Sequence, residues 1–424
     1  MLPALVVLVL CAPATAAPTL EARELAKIGF AAQAGGALRP AMTPNDPLFQ
    51  FSSYRWTLER PHFPDAWTRT IGDARTVIAI VDTGVDPTVA DLQGALLPGY
   101  DFYDNDADPS DPHGHGTMMA SLAAARTNNA LGIAGACGAC SILPVRVSAP
   151  DGVASWSTAA AGIVWATDRG ARIISISLVG PTSSPELDAA VAYAQAHNVL
   201  VVAAAGNLGG NAPEFPAALP GVVSVGAVDN ADELYPFSNR GADVWLTAPG
   251  CAMAIAPGDA YRSSCGTSVA TPLVAGAAGL LASAYPSATA QQLADALTRG
   301  ADRVGDSKYG RLDVTGAFAA FGMPGTSLLL GRPIVSGTPS RGATLTATSG
   351  AVSGAALAYQ WFRCTPTGCS TIRGATRPTY TVVAADQGHR LEVRVTATTG
   401  STQAAARSAG TVVRASRQFT RSRG

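Results

Sequence analysis

The chain has 424 residues, with 29 Lys and Arg against 30 Asp and Glu, a net charge of −1, and 14% charged residues. That length holds two or three domains with sizeable cores. The charge balance excludes the basic footprint of a nucleic-acid binder and gives no electrostatic case for an anionic membrane surface. Hydrophobic residues at 47%, with 44 Gly and 29 Pro, describe a globular chain rich in tight turns.

The first elements read as targeting rather than fold. In "MLPALVVLVLCAPATAAPTL" a short apolar run, Leu2 to Leu10, precedes the small-residue pattern Ala14-Thr15-Ala16. Residues 1–16 therefore read as a secretory signal peptide, although no Lys or Arg precedes the run. The run is too short to span a bilayer, and the bulky Leu10 before Cys11 argues against a lipoprotein. Residues 17–43 form a short Ala- and Gly-rich leader, with a helix expected over 20–30.

Residues 44–322 alternate two kinds of segment. Near-continuous apolar runs are "TVIAIVDTG" (76–84), "SILPVRV" (141–147), "ARIISISL" (171–178), "VLVVAAAGN" (199–207) and "VVSVGAV" (222–228). Such runs suit parallel strands buried on both faces. Helix-like segments lie between them at 117–125, 157–169 and 186–197. This is βαβ alternation, so the expected fold is α/β, a doubly wound and mostly parallel sheet flanked by helices. Functional groups then collect at the carboxyl ends of strands, where Asp82 and Asn207 stand.

Residues 323–333 contain Pro324, Gly325 and Pro333 and read as a linker. Residues 334–416 change to period-two alternation, with Leu391, Val393, Val395 and Ala397 against Arg390, Glu392, Arg394 and Thr396. A small all-β sandwich of Ig-like type is expected there, followed by a basic tail at 417–424. Past the signal segment the chain has six cysteines. An even count in a secreted chain reads as disulfides, and the spacings suggest local pairs. Cys364 and Cys369 flank "TPTG" and would bridge a hairpin turn. Cys137-x-x-Cys140 reads as a structural pair, because no second C-x-x-C or His pair completes a zinc site. Cys251 with Cys265 would close a loop of about 15 residues, worth roughly 3 kcal/mol by chain entropy.

Three segments carry chemistry: "IAIVDTGVD" with Asp82, "HGHGTMMA" with His113 and His115, and "GTSVATP" with Ser268. A serine hydroxyl is a weak nucleophile near neutral pH. It needs a base to take its proton, and the base needs a carboxylate to hold its tautomer. The order Asp, His, Ser differs from that of α/β-hydrolases and of chymotrypsin-like enzymes. Taken singly, Asp82 and Asn207 are as readily turn residues, and Ser268 an N-cap. Together, "DTGVD", "HGT", "AAAGN" and "GTSVATP" in this order resemble the subtilisin-like serine proteases, the subtilases, over residues 44–322.

The resemblance implies Asp82 as the orienting acid, His115 as the general base, Ser268 as the nucleophile and Asn207 as an oxyanion donor beside the Ser268 N–H. Only His115 is followed by Gly-Thr, so His113 is expected to be a loop residue. The resemblance also implies that a peptide substrate adds as a strand beside the segment around Gly152 and beside Ser177, Leu178 and Val179. Val179 stands where the family has glycine, which should narrow the first specificity pocket toward small or slim residues. Asp46, Asp91 and Asn129 resemble the family's strong calcium site, and Asp101, Asp104 and Asp106 resemble a second calcium loop. Calcium is thus expected as a structural ion, with no catalytic cofactor. Thr271-Pro272 matches the family's proline and is expected about one turn into a helix that Ser268 caps. The 17–43 leader is short for the folding-assisting propeptide of the family.

The sequence therefore points to a secreted, monomeric serine endopeptidase acting on proteins or peptides. Two alternatives stay open: a catalytically silent subtilase that binds peptides, and an adhesion protein acting on a cell wall or surface through its C-terminal module.

Overall fold

The computed structural model describes residues 42–241, 243–304, 307–321, 333–348, 356–365, 368–399, 402–408 and 410–413. The expected signal peptide, nearly all of the leader with its helix, the linker up to 332 and the basic tail lie outside the described residues. The chain divides into two compact units: Met1–Ala218 with Val222–Met323, and Leu219–Gly221 with Pro324–Gly424.

The first unit is built on an eight-stranded sheet. Its strands are β1 (Val77–Asp82), β2 (Tyr100–Asp101), β3 (Ser141–Arg146), β4 (Ile173–Ile176), β5 (Leu200–Ala204), β6 (Val223–Val228), β7 (Leu246–Pro249) and β10 (Gly310–Arg311). A hairpin of β8 (Cys251–Ala256) and β9 (Ala260–Cys265) stands apart from it. The order is β10-β7-β6-β5-β4-β1-β3-β2, with every neighbouring pair parallel. Strands β3 to β6 are buried at every residue, as continuous apolar runs require. Chain progression reverses at β1: β2 and β3 lie on one side, β4 to β7 on the other. The carboxyl end of β1 is therefore the switch point where α/β sheets open a crevice, and Asp82 is its last residue.

The flanking helices are α1 (His115–Ala124), α2 (Trp156–Asp168), α3 (Pro185–Ala196), α4 (Thr267–Ala284) and α5 (Ala290–Gly300). Helix α2 starts with a capping box at Ser155, and α3 starts with a Ser184 cap and Pro185. Helix α4 is apolar on all sides because it is buried on all sides. It packs against β1, β4, β5, β6 and β7 and against α1. Gly276 permits close packing there, since a Cβ would meet Ala136 Cβ at 2.4 Å and the Ala123 carbonyl oxygen of α1 at 3.1 Å.

Two local expectations at α4 are corrected. Ser268 does not cap the helix; Gly266 does, and Ser268 is the second helical residue. Pro272 is the sixth residue, past the first turn, so the Ser268 carbonyl loses its intrahelical donor. The Ser177 hydroxyl fills that place, donating to the Ser268 carbonyl at 3.2 Å. All three expected disulfides form: Cys137–Cys140, Cys251–Cys265 and Cys364–Cys369. The second joins the open ends of the β8–β9 hairpin, one residue before Gly266.

The second unit has two antiparallel sheets. One holds β11 (Ile334–Ser336), β12 (Thr344–Thr348) and β15 (Thr379–Thr381). The other holds β14 (Gly368–Thr371), β13 (Ala356–Thr365), β16 (Arg390–Thr399) and β17 (Thr402–Arg407), with β18 (Thr411–Val412) also on β16. Trp361, Leu391, Val393 and Val395 pack with Leu345, Ala347 and Val382 in one core, so the sheets face each other. The Trp361 indole N–H donates to the Arg377 carbonyl at 3.0 Å.

Candidate active site

Asp82 and His115 meet at the switch point. Both are buried, at 1% and 7% exposure. His115 Nδ1 lies 2.7 Å from Asp82 Oδ1, which also accepts the Thr83 N–H at 2.8 Å. Asp82 Oδ2 and His115 Nε2 are buried without a hydrogen-bond partner. Burial opposes a charge on His115, but the Asp82 carboxylate, and then Asp111, outweigh it and raise the imidazole above its ordinary value. His113 is exposed on the preceding loop.

Asp111, which sequence reasoning missed, holds the start of α1. Its Oδ1 accepts the N–H of His113 (3.1 Å) and of Gly114 (2.7 Å) and the Thr83 hydroxyl (2.7 Å). Its Oδ2 accepts the N–H (2.8 Å) and hydroxyl (2.6 Å) of Thr117. One carboxylate thus ties the His115 turn to the Thr83 turn next to Asp82. The local signal was an acid shortly before a helix start.

Ser268 and Asn207 share a second small space. An atom at the Cβ position of Gly266 would lie 2.9 Å from Ser268 Oγ and 3.2 Å from Asn207 Nδ2. Asn207 Oδ1 accepts the Thr267 N–H and hydroxyl, each at 2.9 Å, which turns the amide nitrogen toward that space. The Ser268 N–H belongs to the first turn of α4, where no intrahelical acceptor exists. Asn239 straddles Asn207 from behind. Its Nδ2 donates to the Ala205 carbonyl (2.9 Å), its Oδ1 accepts the N–H of Leu208 (3.1 Å) and Gly210 (3.3 Å), and its own N–H donates to the Gly206 carbonyl (2.9 Å). No sequence pattern announces a partner so far along the chain.

The expected groove segments lie on the same edge. Gly152, at φ +85°, closes a turn in which the Gly152 N–H donates to the Ala149 carbonyl at 2.9 Å. Ser177 and Leu178 are buried and Val179 is half-buried. Gly180 exchanges both backbone hydrogen bonds with Phe215, at 3.1 and 2.9 Å.

The sequence profile of the subtilase family of peptidases matches residues 73–323. The chain belongs to the subtilase family. It is 45% identical over 248 residues to thermitase of Thermoactinomyces vulgaris, covering 58% of this chain and 88% of that protein. It is 37% identical over 241 residues to subtilisin DY of Bacillus licheniformis, covering 56% and 87%. A solved protease structure from Pseudoalteromonas arctica superposes with a TM-score of 0.61 at 29% identity, covering 66% of this chain and 100% of that one. This subtilase is a serine-type endopeptidase, and its substrates are proteins or peptides.

The two sets of subtilase-like calcium residues differ in fit. Asp46 and Asp91 are 0% and 2% exposed. Asp46 Oδ2 accepts the Asn128 N–H at 2.7 Å, while Asp46 Oδ1 is buried with no partner. Asp91 accepts Asn129 Nδ2 (2.7 Å) and the Ile133 N–H (2.9 Å). Burial raises both carboxyls, Asp91 to about 6, with Asp46 adding repulsion at Asp91. Two buried like charges and an orphaned oxygen fit a hard cation. In the acidic loop, Arg146 Nη1 holds Asp101 Oδ2 (2.5 Å) and Asp104 Oδ2 (2.9 Å). Asp101 Oδ1 accepts two N–H groups, from Tyr103 and Asp104, and Asp106 Oδ1 accepts that of Asp108. Arg146 on β3 already pairs with two of these acids, and no carboxylate oxygen of the loop is buried without a partner, so the loop does not pass the same test.

Proposed function

We propose that this subtilase is a secreted endopeptidase working by an Asp82–His115–Ser268 triad through an acyl-enzyme. The observation that carries the reading is the 2.7 Å contact of His115 Nδ1 with Asp82 while buried His115 Nε2 has no partner. Such an imidazole is held in one tautomer with its second nitrogen free to accept a proton. Ser268 Oγ attacks the scissile carbonyl as its proton passes to Nε2. Asn207 Nδ2 and the Ser268 N–H donate to the oxyanion. His115 then returns the proton to the leaving amine, and a water activated by the same nitrogen releases the acyl group. The peptide lies as an added strand along 149–154 and 177–179.

Asp46 and Asp91 would hold a structural calcium that neutralises two buried charges and takes no part in the chemistry. Asn129, expected beside them as a ligand, has its Nδ2 on Asp91 and its Oδ1 on the Leu131 N–H, and so orients Asp91 instead. Secretion is supported by the N-terminal apolar segment and by three disulfides, which persist in oxidising compartments. The enzyme is proposed to act as a monomer of two domains, with residues 334–416 as an accessory module for a cell wall or surface. The test is labelling of the secreted protein with a serine-directed fluorophosphonate. Labelling in the wild type and its absence in Ser268→Ala are expected. Labelling that survives Ser268→Ala overturns the assignment.

A further inference from the structure

Glu214 is a buried carboxylate that the proposed mechanism does not use. It is 6% exposed, and burial alone pushes its carboxyl up. No hydrogen bond or ion pair engages its side chain among the described residues, although Asp386, Asp101 and Asp111 are all bonded. The Glu214 oxygens, unlike Asp82 Oδ2 and Asp46 Oδ1, are not sealed from solvent, so a largely buried acid opens its carboxylate onto the crevice, where a partner brought by a ligand would replace water.

Its surroundings say where the donor comes from. Strands β4 and β5 pair in parallel, with Ile176 opposite Ala203. The chains leaving them, 177–180 and 205–207, therefore emerge side by side. Phe215, the next residue, is bonded to Gly180 on the first of these chains. The Glu214 side chain lies against the second: a Cβ on Gly206 would meet Glu214 Cγ at 2.9 Å. Gly206 immediately precedes Asn207. Glu214 thus stands in the crevice between the peptide edge and the oxyanion residue. A carbonyl held at Ser268 and Asn207, on a strand lying along 177–179, directs the side chain before the scissile bond into this crevice.

We infer that Glu214 forms the base of the pocket for that side chain and selects lysine or arginine there. This rests on the peptidase reading above and names its substrate class. A cation entering the crevice brings the donor that Glu214 lacks, as a charge-assisted hydrogen bond out of water. Val179, half-buried on the same wall, leaves passage for the slim stem of a lysine and opposes a broad aromatic ring. An apolar side chain of equal length leaves the carboxylate unpaired, and pockets built to bond a substrate group reject analogues without it.

The test uses the full secreted chain and fluorogenic peptides that differ only before the scissile bond, with lysine, arginine, norleucine or phenylalanine. In the wild type kcat/KM for lysine is expected to exceed that for norleucine by at least about tenfold. In Glu214→Gln that ratio should fall toward one. A wild type that prefers norleucine or phenylalanine overturns the inference, and so does a ratio that survives Glu214→Gln. A mass-spectrometric cleavage map of a denatured protein mixture needs no variant: cuts after Lys and Arg support the pocket, and cuts after aromatic residues overturn it. Fluorophosphonate labelling separates the two levels. Labelled enzyme without basic preference sinks the pocket alone, whereas no labelling and no cleavage of any peptide sinks the peptidase reading with it.

Discussion

Asp386 in the C-terminal unit and three acids of the peptidase unit bury their carboxylates in opposite ways. In the C-terminal unit, Asp386 is 0% exposed and fully bonded. Arg363 donates to Oδ1 through Nε and Nη2, at 2.8 and 2.6 Å, and Oδ2 accepts the Tyr380 hydroxyl and the Val383 N–H, each at 2.8 Å. In the peptidase unit, where Asp111 is closed in the same way, Asp82 and Asp46 each keep one oxygen buried without a partner, and Glu214, 6% exposed, makes no side-chain hydrogen bond among the described residues. A closed carboxylate clips two segments together; an open one waits for a proton donor, an ion or a substrate. Unsatisfied buried groups are tolerated where something else depends on them.

The strongest way to break this contrast is a pair of isosteric changes. Asp82→Asn is expected to lower kcat by about 10⁴-fold with little change in melting. Asp386→Asn should destabilise the C-terminal unit by about 2 kcal/mol through its weakened charge-assisted hydrogen bonds and leave hydrolysis of a short peptide unchanged. Steady-state kinetics and calorimetry on both proteins decide it, and a reversed pattern ends the comparison. Next comes the oxyanion side. Asn207→Ala should lose about 10²–10³-fold in kcat with KM nearly constant. Asn239→Ala should lose roughly tenfold, but no more than a trace of that in an Asn207→Ala background. Additive losses would make Asn239 merely a structural clamp.

Chelation tests the Asp46 and Asp91 pair. Removing calcium should lower Tm by roughly 5–10 °C near pH 8. The sign with pH follows from Asp91, raised from 3.8 to about 6. Its raised value favours the folded state at low pH, and that advantage is lost as pH climbs through about 6. The chelated protein should therefore lose stability over that window, while the calcium-loaded protein stays flat. Equal curves would remove the ion from the account. The smallest effect concerns His115. As the proposed base it must be neutral to act, and its value is raised from 6.5, so kcat/KM should fall on acidification with a midpoint above 6.5. Asp111→Asn removes one of the charges that raise it and should move that midpoint down, read from the pH profile at saturating calcium.

Much of this was legible before any coordinate. The parallel sheet follows from apolar runs between helical segments, and Asp82, His115, Asn207 and Ser268 stand in short motifs at strand and helix ends. What stayed hidden were the groups that meet those residues from afar. Asn239 reaches Asn207 across more than thirty residues, and Glu214 reaches Gly206 through a loop with no periodic pattern. Ser268 looked like a cap because Ser caps helices, but Gly266 takes that place and allows the close approach of Ser268 Oγ and Asn207 Nδ2. In the acidic loop, the carboxylates are visible in sequence, while Arg146, which pairs with Asp101 and Asp104, comes from another strand.

The hydroxyl of Ser177 answers the carbonyl that Pro272 leaves open, and this has a consequence for tolerance. The edge proposed to carry the peptide and the turn that presents Ser268 are fastened at one point. A small displacement of either is transmitted to the other instead of accumulating between them. On the proposed mechanism, attacking atom and attacked bond would therefore keep their alignment when the rim shifts.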